Sequence, residues 1–355
     1  MVLALHREVE MSEPRVGVAP LVSVIIPCFN GAPFVQEAVE SVLRQSHPRI
    51  EIIVIDDGST DDSWAVIRAY EDRVTAIRQD NRGLPAARNR GLASAKGDYA
   101  LFLDCDDVIA PDAVEGLAAA AAGRADVLAC CTWRSLVSRQ GTWVLAERDA
   151  TFPLPGPDPL ESWLSGEWIP ICSILWPMSL LHALGGFDER LAINEDGDLM
   201  MRALLDGAGL VVAERGESFY RRHEAFRLSI SSDVFSKRRV QSGLCVLEKL
   251  EAEIRQRGSL PRYRRALGVA YQKLAARTFV FFPDLARDVL KHGEALAGRR
   301  PIAPTRIGRV LVRCLGMERK QRVVEALSSL GVMTKGRRAH LALQDLAKRR
   351  QDGVV

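Results

Sequence analysis

The sequence predicts an α/β protein: a mostly parallel sheet flanked by helices, followed by an all-helical, basic C-terminal extension. Short β-branched apolar runs alternate with segments whose apolar residues have helical spacing, which is typical of a parallel sheet. The 355 residues are 47% hydrophobic and 26% charged, as in a globular protein with a sizeable core. From Phe235 onward there are 27 Lys and Arg against 10 Asp and Glu, and before it 21 against 35, which indicates two regions.

The alternation can be followed element by element. Buried runs rich in β-branched residues predict strands at 21–26 and 51–56, and further short strands are predicted at 74–78 and 99–103. Helical spacing between these runs predicts helices at 34–45, 62–70 and 85–94. Further strands are expected at 126–133, 142–145 and 210–213, with helices after Pro111 and at 199–205. The basic region is predicted to form helices at 237–257, 261–282, 285–297, 318–330 and 338–350.

These patterns divide the chain into a flexible leader (1–20), an α/β domain (21–234) and a helical basic region (235–355). The leader lacks the basic start and continuous apolar core of a secretory signal. The longest uncharged stretch, Trp168–Phe187, contains prolines and paired glycines, so we expect a buried strand–loop–helix segment and no membrane span. Seven cysteines without metal-finger spacing favour a reduced, cytoplasmic protein.

Polar and acidic segments follow three of the predicted strands, at Pro27–Asn30, Asp56–Asp61 and Asp104–Asp107. Ligands of parallel sheets bind beyond the carboxyl ends of the strands, so we expect these segments to form one site. Asp104 and Asp106 can bind a hard cation together with phosphate oxygens. Taken alone, this cluster is explained equally well as an Asp-rich turn.

Three other residues are candidates with competing explanations. Arg88, at a helix start, can neutralise a diphosphate or form a surface salt bridge. Glu195–Asp198 contains three acids at a predicted helix start, and stabilisation by the helix dipole explains the presence of one of them. The functional alternative is that an Asp in a half-dry cleft acts as a general base. His223, in a polar loop predicted after the strand at 210–213, is a metal-ligand candidate only beside carboxylate–metal chemistry, since a lone His is more often structural.

Five motifs occur in order: VIIPCFN at 24–30, DDGSTD at 56–61, NRGLPAARNRG at 81–91, LDCDD at 103–107 and ED at 195–196. Together they resemble the inverting family-2 glycosyltransferases with the Rossmann-like GT-A fold, over residues 20 to 232. Phe29 stands where the family more often has Tyr, which keeps stacking but removes a hydroxyl.

The resemblance implies a role for each matching residue. The segment Pro27–Asn30 would pack on the nucleotide, with Pro27 and Phe29 flanking the base. Asp57 would hydrogen-bond the base, and Arg88 would lie beside the nucleotide. The remaining roles follow the family's metal-binding and catalytic motifs: Asp104 on ribose or metal, Asp106 on the metal, Asp196 as catalytic base, and His223 as a further metal ligand or diphosphate contact.

The resemblance also implies a reaction. A sugar would pass from a nucleotide-diphosphate donor, expected to be UDP-linked, to a glycan or lipid-linked acceptor, with Mn²⁺ or Mg²⁺ as cofactor. Cell-envelope or exopolysaccharide synthesis is the expected setting. The QxxRW motif and membrane helices of processive members are missing from the sequence, which implies single additions. The alternatives are a metal-dependent nucleotidyltransferase, for which Gly31 alone supplies no Gly-rich phosphate loop, and an inactive sugar-nucleotide-binding module.

The basic region, 235–355, lies outside the resemblance and has two interpretations. It forms a helical subdomain with solvated Arg-rich faces, or it contacts anionic lipid at the inner face of the membrane, where each basic residue near the surface contributes about 1 kcal/mol. Nucleic acid is not an expected partner, because the region shows no known nucleic-acid-reading motif.

Overall fold

A computed structural model describes residues 18–139, 141–146, 158–223, 237–279 and 282–298. The chain forms two compact units. We call them the sheet unit (Met1–Phe152, Ile169–Gly186 and Gly207–Arg222) and the helical unit (Pro153–Trp168, Phe187–Asp206 and His223–Val355). Segments 158–168 and 187–206, predicted as parts of the α/β domain, thus fold with the C-terminal helices. The predicted boundary at 234 and the leader up to residue 17 lie outside the described residues.

The strands are β1 (Val22–Cys28), β2 (Ile50–Asp57), β3 (Thr75–Gln79), β4 (Tyr99–Phe102), β5 (Val108–Ile109), β6 (Val127–Arg139), β7 (Thr142–Leu145), β8 (Ile174–Pro177) and β9 (Gly209–Arg222). The helices up to β9 are α1 (Val35–Leu43), α2 (Ser63–Arg68), α3 (Leu84–Ser94), α4 (Ala113–Ala121), α5 (Pro159–Leu164), α6 (Met178–Ala183) and α7 (Glu195–Leu205). After β9 come α8 (Lys237–Gln256), α9 (Leu260–Thr278) and α10 (Pro283–Ala297).

The strands form one sheet in the order β3-β2-β1-β4-β8-β6-β9-β5, with β7 paired to β6. Its first four strands are parallel, as the alternation of strands and helices predicts. The other half is mixed, because β8 is antiparallel to both β4 and β6 whereas β6 and β9 are parallel. The predicted α/β class with helices around a central sheet is confirmed. Since β1, β2 and β4 are parallel, their carboxyl ends lie at the same edge.

The two faces of the parallel strands pack differently, and α3 lies especially close to one of them. Val24, Ile26, Ile52 and Leu101 are buried in the parallel strands. On the other face, Gly91 of α3 approaches Ile25 so closely that a Cβ at Gly91 would lie 2.3 Å from Ile25 Cγ2. A glycine is therefore required at this position for α3 to pack on β1.

β9 corrects one sequence expectation. The apolar run at 210–213 predicts a short strand with a polar loop containing Tyr220 to His223, but β9 continues to Arg222. Its second half pairs with β6 beyond a register shift between Cys130 and Thr132. Ser218 and Arg221 are buried there, so the strand continues through charged residues that the apolar pattern does not reveal.

The uncharged stretch from Trp168 to Phe187 contains the predicted strand and helix, but without the predicted loop between them, because α6 begins directly after β8. The stretch is buried without interruption over 169–178. It contains a 3-10 turn (Ile171–Ser173), β8 and α6, and the Trp176 side chain is buried in the core. Within the described ranges, no helix is long and apolar enough to cross a membrane.

The helical unit contains α5, α7, α8, α9 and α10. The last three match the helices predicted at 237–257, 261–282 and 285–297, while those predicted at 318–330 and 338–350 lie outside the described residues. Two basic residues of α9 bond within the unit, since Arg262 pairs with Asp158 at 2.7 Å and Lys273 donates to the Ser165 carbonyl. These two side chains therefore stabilise the unit itself.

Candidate active site

The loops that follow β1 and β2 are bonded to each other through Asn30. The Asn30 side-chain oxygen accepts a hydrogen bond from the backbone N of Thr60 at 2.8 Å, and the Asn30 backbone N donates to Ser59 Oγ at 2.9 Å. Asn30 has a φ of 51°, a conformation that Asn adopts more readily than most residues. The connection holds the neighbouring Phe29 at the sheet edge with 48% of its surface exposed, whereas Pro27 is buried within β1.

Asp57 fixes the start of α3. Its Oδ1 accepts hydrogen bonds from Gln79 Nε2 at 2.7 Å and from Arg82 N at 2.9 Å, and its Oδ2 accepts one from Gly83 N at 2.8 Å. Gly83 precedes α3 with a φ of 91°, which favours glycine. Sequence reasoning missed this anchoring role. The role of Asp57 in recognising a nucleobase stays a prediction.

Arg88, on α3, forms an ion pair with the first acid of the cluster that follows β4. Arg88 Nη2 lies 2.7 Å from Asp104 Oδ1, and only 2% of the Arg88 side chain is exposed. The alternative of a surface salt bridge for Arg88 is therefore wrong in one respect. The Arg88 side chain is buried, although Asp104 is partly exposed. A pair in such surroundings fixes the carboxylate more firmly than an exposed one.

The residues Asp104 to Asp107 form a turn in which the acids have different surroundings. Asp107 N donates to the Asp104 carbonyl at 2.9 Å. Asp104 and Asp106 are partly exposed, whereas Asp107 is 1% exposed and its Oδ1 accepts a hydrogen bond from Arg221 N at 2.7 Å. Burial, together with the neighbouring charges of Asp106 and Asp104, raises the pKa of Asp107 well above its usual value. Asp107 therefore has a structural environment, and the two partly exposed acids are the ones available to a ligand.

Negative charge is concentrated around this turn. Burial raises the pKa of Tyr220 on β9, and the charges of Asp107, Asp104 and Asp106 add to the effect. A cation held by Asp104 and Asp106 would offset this repulsion. Within the described part of the chain, no group of three or more His, Cys, Asp or Glu residues is arranged to hold a metal ion. The two partly exposed carboxylates that follow β4 would leave most positions around such an ion to phosphate or water oxygens, which Mg²⁺ usually binds.

Arg221, which sequence reasoning placed in a polar loop, is buried beneath this turn. Its guanidinium lies 4.9 Å from the ring centroids of both Phe34 and Trp143, and its Nη2 bonds Glu37 Oε2 at 2.6 Å. Contacts of this kind with two aromatic rings stabilise a cation that is removed from water. Because the Arg221 backbone also holds Asp107, this residue connects β9 to the acidic turn.

The acids of Glu195–Asp198 begin α7 in the helical unit. Asp198 is 3% exposed and bonds both Arg202 Nε at 2.8 Å and Lys249 Nζ at 2.9 Å. Glu195 is buried as well, whereas Asp196 is partly exposed and its Oδ1 accepts a hydrogen bond from Gly197 N at 2.8 Å. Asp196 is therefore the acid of this motif whose position suits a reaction with a ligand.

His223 directly follows β9 and belongs to the helical unit. The segment 224–236, which includes the predicted polar residues around Ser231, lies outside the described residues. The role of His223 as a metal ligand stays a prediction.

Replacing Asp107 with Ala is expected to lower the free energy of unfolding by about 1–3 kcal/mol, because the buried backbone N–H of Arg221 would lose its acceptor. Asp107→Asn is the matched control, since its amide oxygen can still accept that hydrogen bond. Urea denaturation of both variants measures the difference. Equal stabilities for the two variants would contradict this role.

Comparison with known proteins gives the family. The model of "Glycosyl transferase family 2" matches residues 23–173. An uncharacterized glycosyltransferase of Rickettsia typhi is 30% identical over 236 residues, which are 66% of this chain and 70% of the relative. The chain belongs to glycosyl transferase family 2.

Solved structures agree with the fold of this family 2 protein. Residues 1–349 of Staphylococcus aureus TarS, in complex with UDP-GlcNAc, superpose with a TM-score of 0.55 at 18% identity, covering 82% of this chain and 91% of TarS 1–349. A mannosyltransferase of Pyrobaculum calidifontis, in complex with GDP-Man and Mn²⁺, gives a TM-score of 0.55 at 19% identity, covering 93% of this chain and 85% of the other. The expected GT-A fold is confirmed.

Proposed function

We propose that this family 2 protein transfers a sugar from a UDP-linked donor to an acceptor hydroxyl, with inversion, in the synthesis of a cell-envelope or exopolysaccharide glycan. The observation that carries the proposal is the acidic turn after β4, where Asp104 and Asp106 are partly exposed and Arg88 bonds Asp104 at 2.7 Å. The turn lies at the sheet edge where β1 and β2 also end. TarS with UDP-GlcNAc and the mannosyltransferase with GDP-Man and Mn²⁺ have the same fold, which supports a nucleotide-sugar donor.

The residues at this edge suit the parts of such a donor. Phe29 is exposed and offers its ring for stacking on a base. Asp57 and Asn30 hold the loops around it, so base recognition by Asp57 would use an oxygen that already accepts hydrogen bonds. Asp106 and Asp104 would hold Mn²⁺ or Mg²⁺, which would offset the charge that develops on the leaving diphosphate. Arg88 would orient Asp104 for that role.

Asp196 is the proposed general base. In a single displacement, its carboxylate would take the proton of the acceptor hydroxyl as that oxygen forms a bond to the anomeric carbon. The bond from that carbon to the diphosphate oxygen breaks on the opposite face, so the configuration inverts. The partial exposure of Asp196, between the buried Glu195 and Asp198, supports this assignment.

A thermal-shift panel tests the donor class. UDP-GlcNAc, UDP-glucose, GDP-mannose and UTP are each added to the full chain with and without Mn²⁺, since a ligand that binds the folded state raises the Tm by mass action. We expect the largest Mn²⁺-dependent shift from a UDP-sugar, with UDP released when an acceptor hydroxyl or water attacks the anomeric carbon of the donor. Release of pyrophosphate from UTP in the presence of a sugar 1-phosphate, which would take the uridylyl group, would favour a nucleotidyltransferase. A shift without any release of UDP would favour an inactive binding module.

A further inference from the structure

The segment that carries Asp196 is constrained from within. We call residues 188–198 the base loop. Asn194 caps α7 with a φ of 60°, and Asp198 N donates to the Asn194 carbonyl at 2.9 Å. The Asn194 side chain lies so close to Gly197 that a Cβ there would be 2.2 Å from Asn194 Oδ1. The backbone on both sides of Asp196 therefore has little freedom as long as the base loop keeps this conformation.

Ser242, on α8, holds the middle of the base loop. Its buried Oγ accepts hydrogen bonds from Ala192 N at 2.9 Å and Ile193 N at 3.4 Å. The same hydroxyl donates to the Ile193 carbonyl at 3.3 Å. One side chain of α8 thus satisfies three backbone groups of the two residues that precede Asn194.

Lys249, also on α8, bonds both ends of the base loop. Its Nζ lies 2.6 Å from Asp188 Oδ2 and 2.9 Å from Asp198 Oδ1. Hydrogen bonds from Arg190 and Lys249 outweigh partial burial and hold the pKa of Asp188 below its usual range. A single ammonium group therefore closes the loop by joining its first residue to its last.

Ser242 and Lys249 are seven residues apart, two turns of α8, so both side chains lie on the same face of the helix. We propose that Ser242 and Lys249 are positioning residues that hold the base loop, and with it Asp196, in the conformation that the transfer reaction needs. This inference rests on the proposed role of Asp196. It gives the first helix of the basic C-terminal region a part in catalysis, although that region lies outside the motifs of the family.

The test uses Lys249→Met, which removes the charge but keeps the length of the side chain, and Ser242→Ala, which removes the hydroxyl. Donor turnover is followed with the UDP- or GDP-sugar that the wild-type full chain consumes. We expect kcat to fall about 10- to 100-fold in either variant, because displacement of a reacting group by about 1 Å has effects of this size. The donor KM should stay unchanged. Lys249→Arg, which keeps the charge, should restore part of kcat.

Limited proteolysis gives a second readout that needs no donor. Arg190 lies in the base loop with an exposed side chain, so trypsin should cleave after it several times faster in Lys249→Met and Ser242→Ala. Lys291→Met is the matched control: this lysine is on α10, its side chain is 78% exposed, and its Nζ is 3.9 Å from Asp288 Oδ1. The control should keep both the wild-type kcat and the wild-type cleavage rate.

The outcomes separate this inference from the proposed function. Wild-type kcat and wild-type cleavage at Arg190 in both Lys249→Met and Ser242→Ala would overturn the inference alone. Wild-type turnover in Asp196→Asn would overturn the proposed role of Asp196 as the general base, and with it the inference that rests on that role. If the proposed function and this inference both hold, adding Lys249→Met to Asp196→Asn should lower kcat little further, because each substitution removes the contribution of the same base. A full, additive loss in the double variant would also overturn the inference.

Discussion

Asp196→Asn is expected to lower kcat by about 10²- to 10⁴-fold, the usual contribution of a general base, because an amide cannot take the acceptor proton. The fold should be unaffected, since the Asn side-chain oxygen can still accept the hydrogen bond that Gly197 N donates to Asp196 Oδ1 at 2.8 Å. Donor binding should also persist, because the residues proposed to hold the donor follow β1, β2 and β4. Steady-state release of nucleoside diphosphate gives kcat, and isothermal titration with the UDP-sugar and Mn²⁺ gives donor affinity.

Glu189→Gln is the matched control for this experiment. Glu189 is an exposed acid in the same base loop, so the substitution removes an equal charge from the neighbourhood of Asp196. It should leave kcat within about twofold of wild type, because exposed charges in water interact weakly. Equal losses in Asp196→Asn and Glu189→Gln would indicate a general effect of loop charge, and normal turnover in Asp196→Asn would show that the base lies elsewhere.

The parallel half of the sheet was predictable from the sequence mainly because β1 and β2 are short, buried β-branched runs, each followed by a helix. The pattern is weaker in β3, which is partly exposed, and in β4, which contains no β-branched residue. β1 is buried along all seven residues, and Ser23 alone interrupts its apolar run. The mixed half gives a weaker signal. β5 has two residues, and β9 continues through Glu214, Arg215 and Glu217, whose charges hide its pairing with β6. Strand periodicity fails where a strand is short or its exposed positions carry charges.

The candidate site was predictable in its positions but not in its partners. Asp104 and Asp106 follow a recognisable strand, and the edge of a parallel sheet is where ligands bind. Nothing in the sequence pairs Asp107 with Arg221 or Lys249 with Asp188, since these contacts join residues 114 and 61 positions apart. Such contacts depend on how distant elements pack, which periodicity and motif spacing do not encode.

Asp106→Ala is expected to abolish the part of donor binding that depends on Mn²⁺. The substitution leaves Asp104 as the one partly exposed carboxylate of the turn. Loss of a direct carboxylate ligand should weaken donor affinity at least about 100-fold, since mutating residues that only support metal ligands already lowers metal affinity by about 10- to 100-fold. The thermal shift with a UDP-sugar should then be the same with and without Mn²⁺. The Tm without metal should not fall, because the substitution removes a negative charge that disfavours the ionised form of the neighbouring Asp107.

Asp72→Asn is the matched control, since Asp72 is an exposed acid of the same unit, 3.7 Å from Arg73 Nε. It should keep the full Mn²⁺-dependent shift. An undiminished shift in Asp106→Ala would show that the metal, if used, is held by other residues. A lower Tm of Asp106→Ala in the absence of metal would show instead that Asp106 stabilises the fold. The two readouts therefore distinguish a ligand from a structural acid, which is the choice that the sequence alone leaves open for this turn.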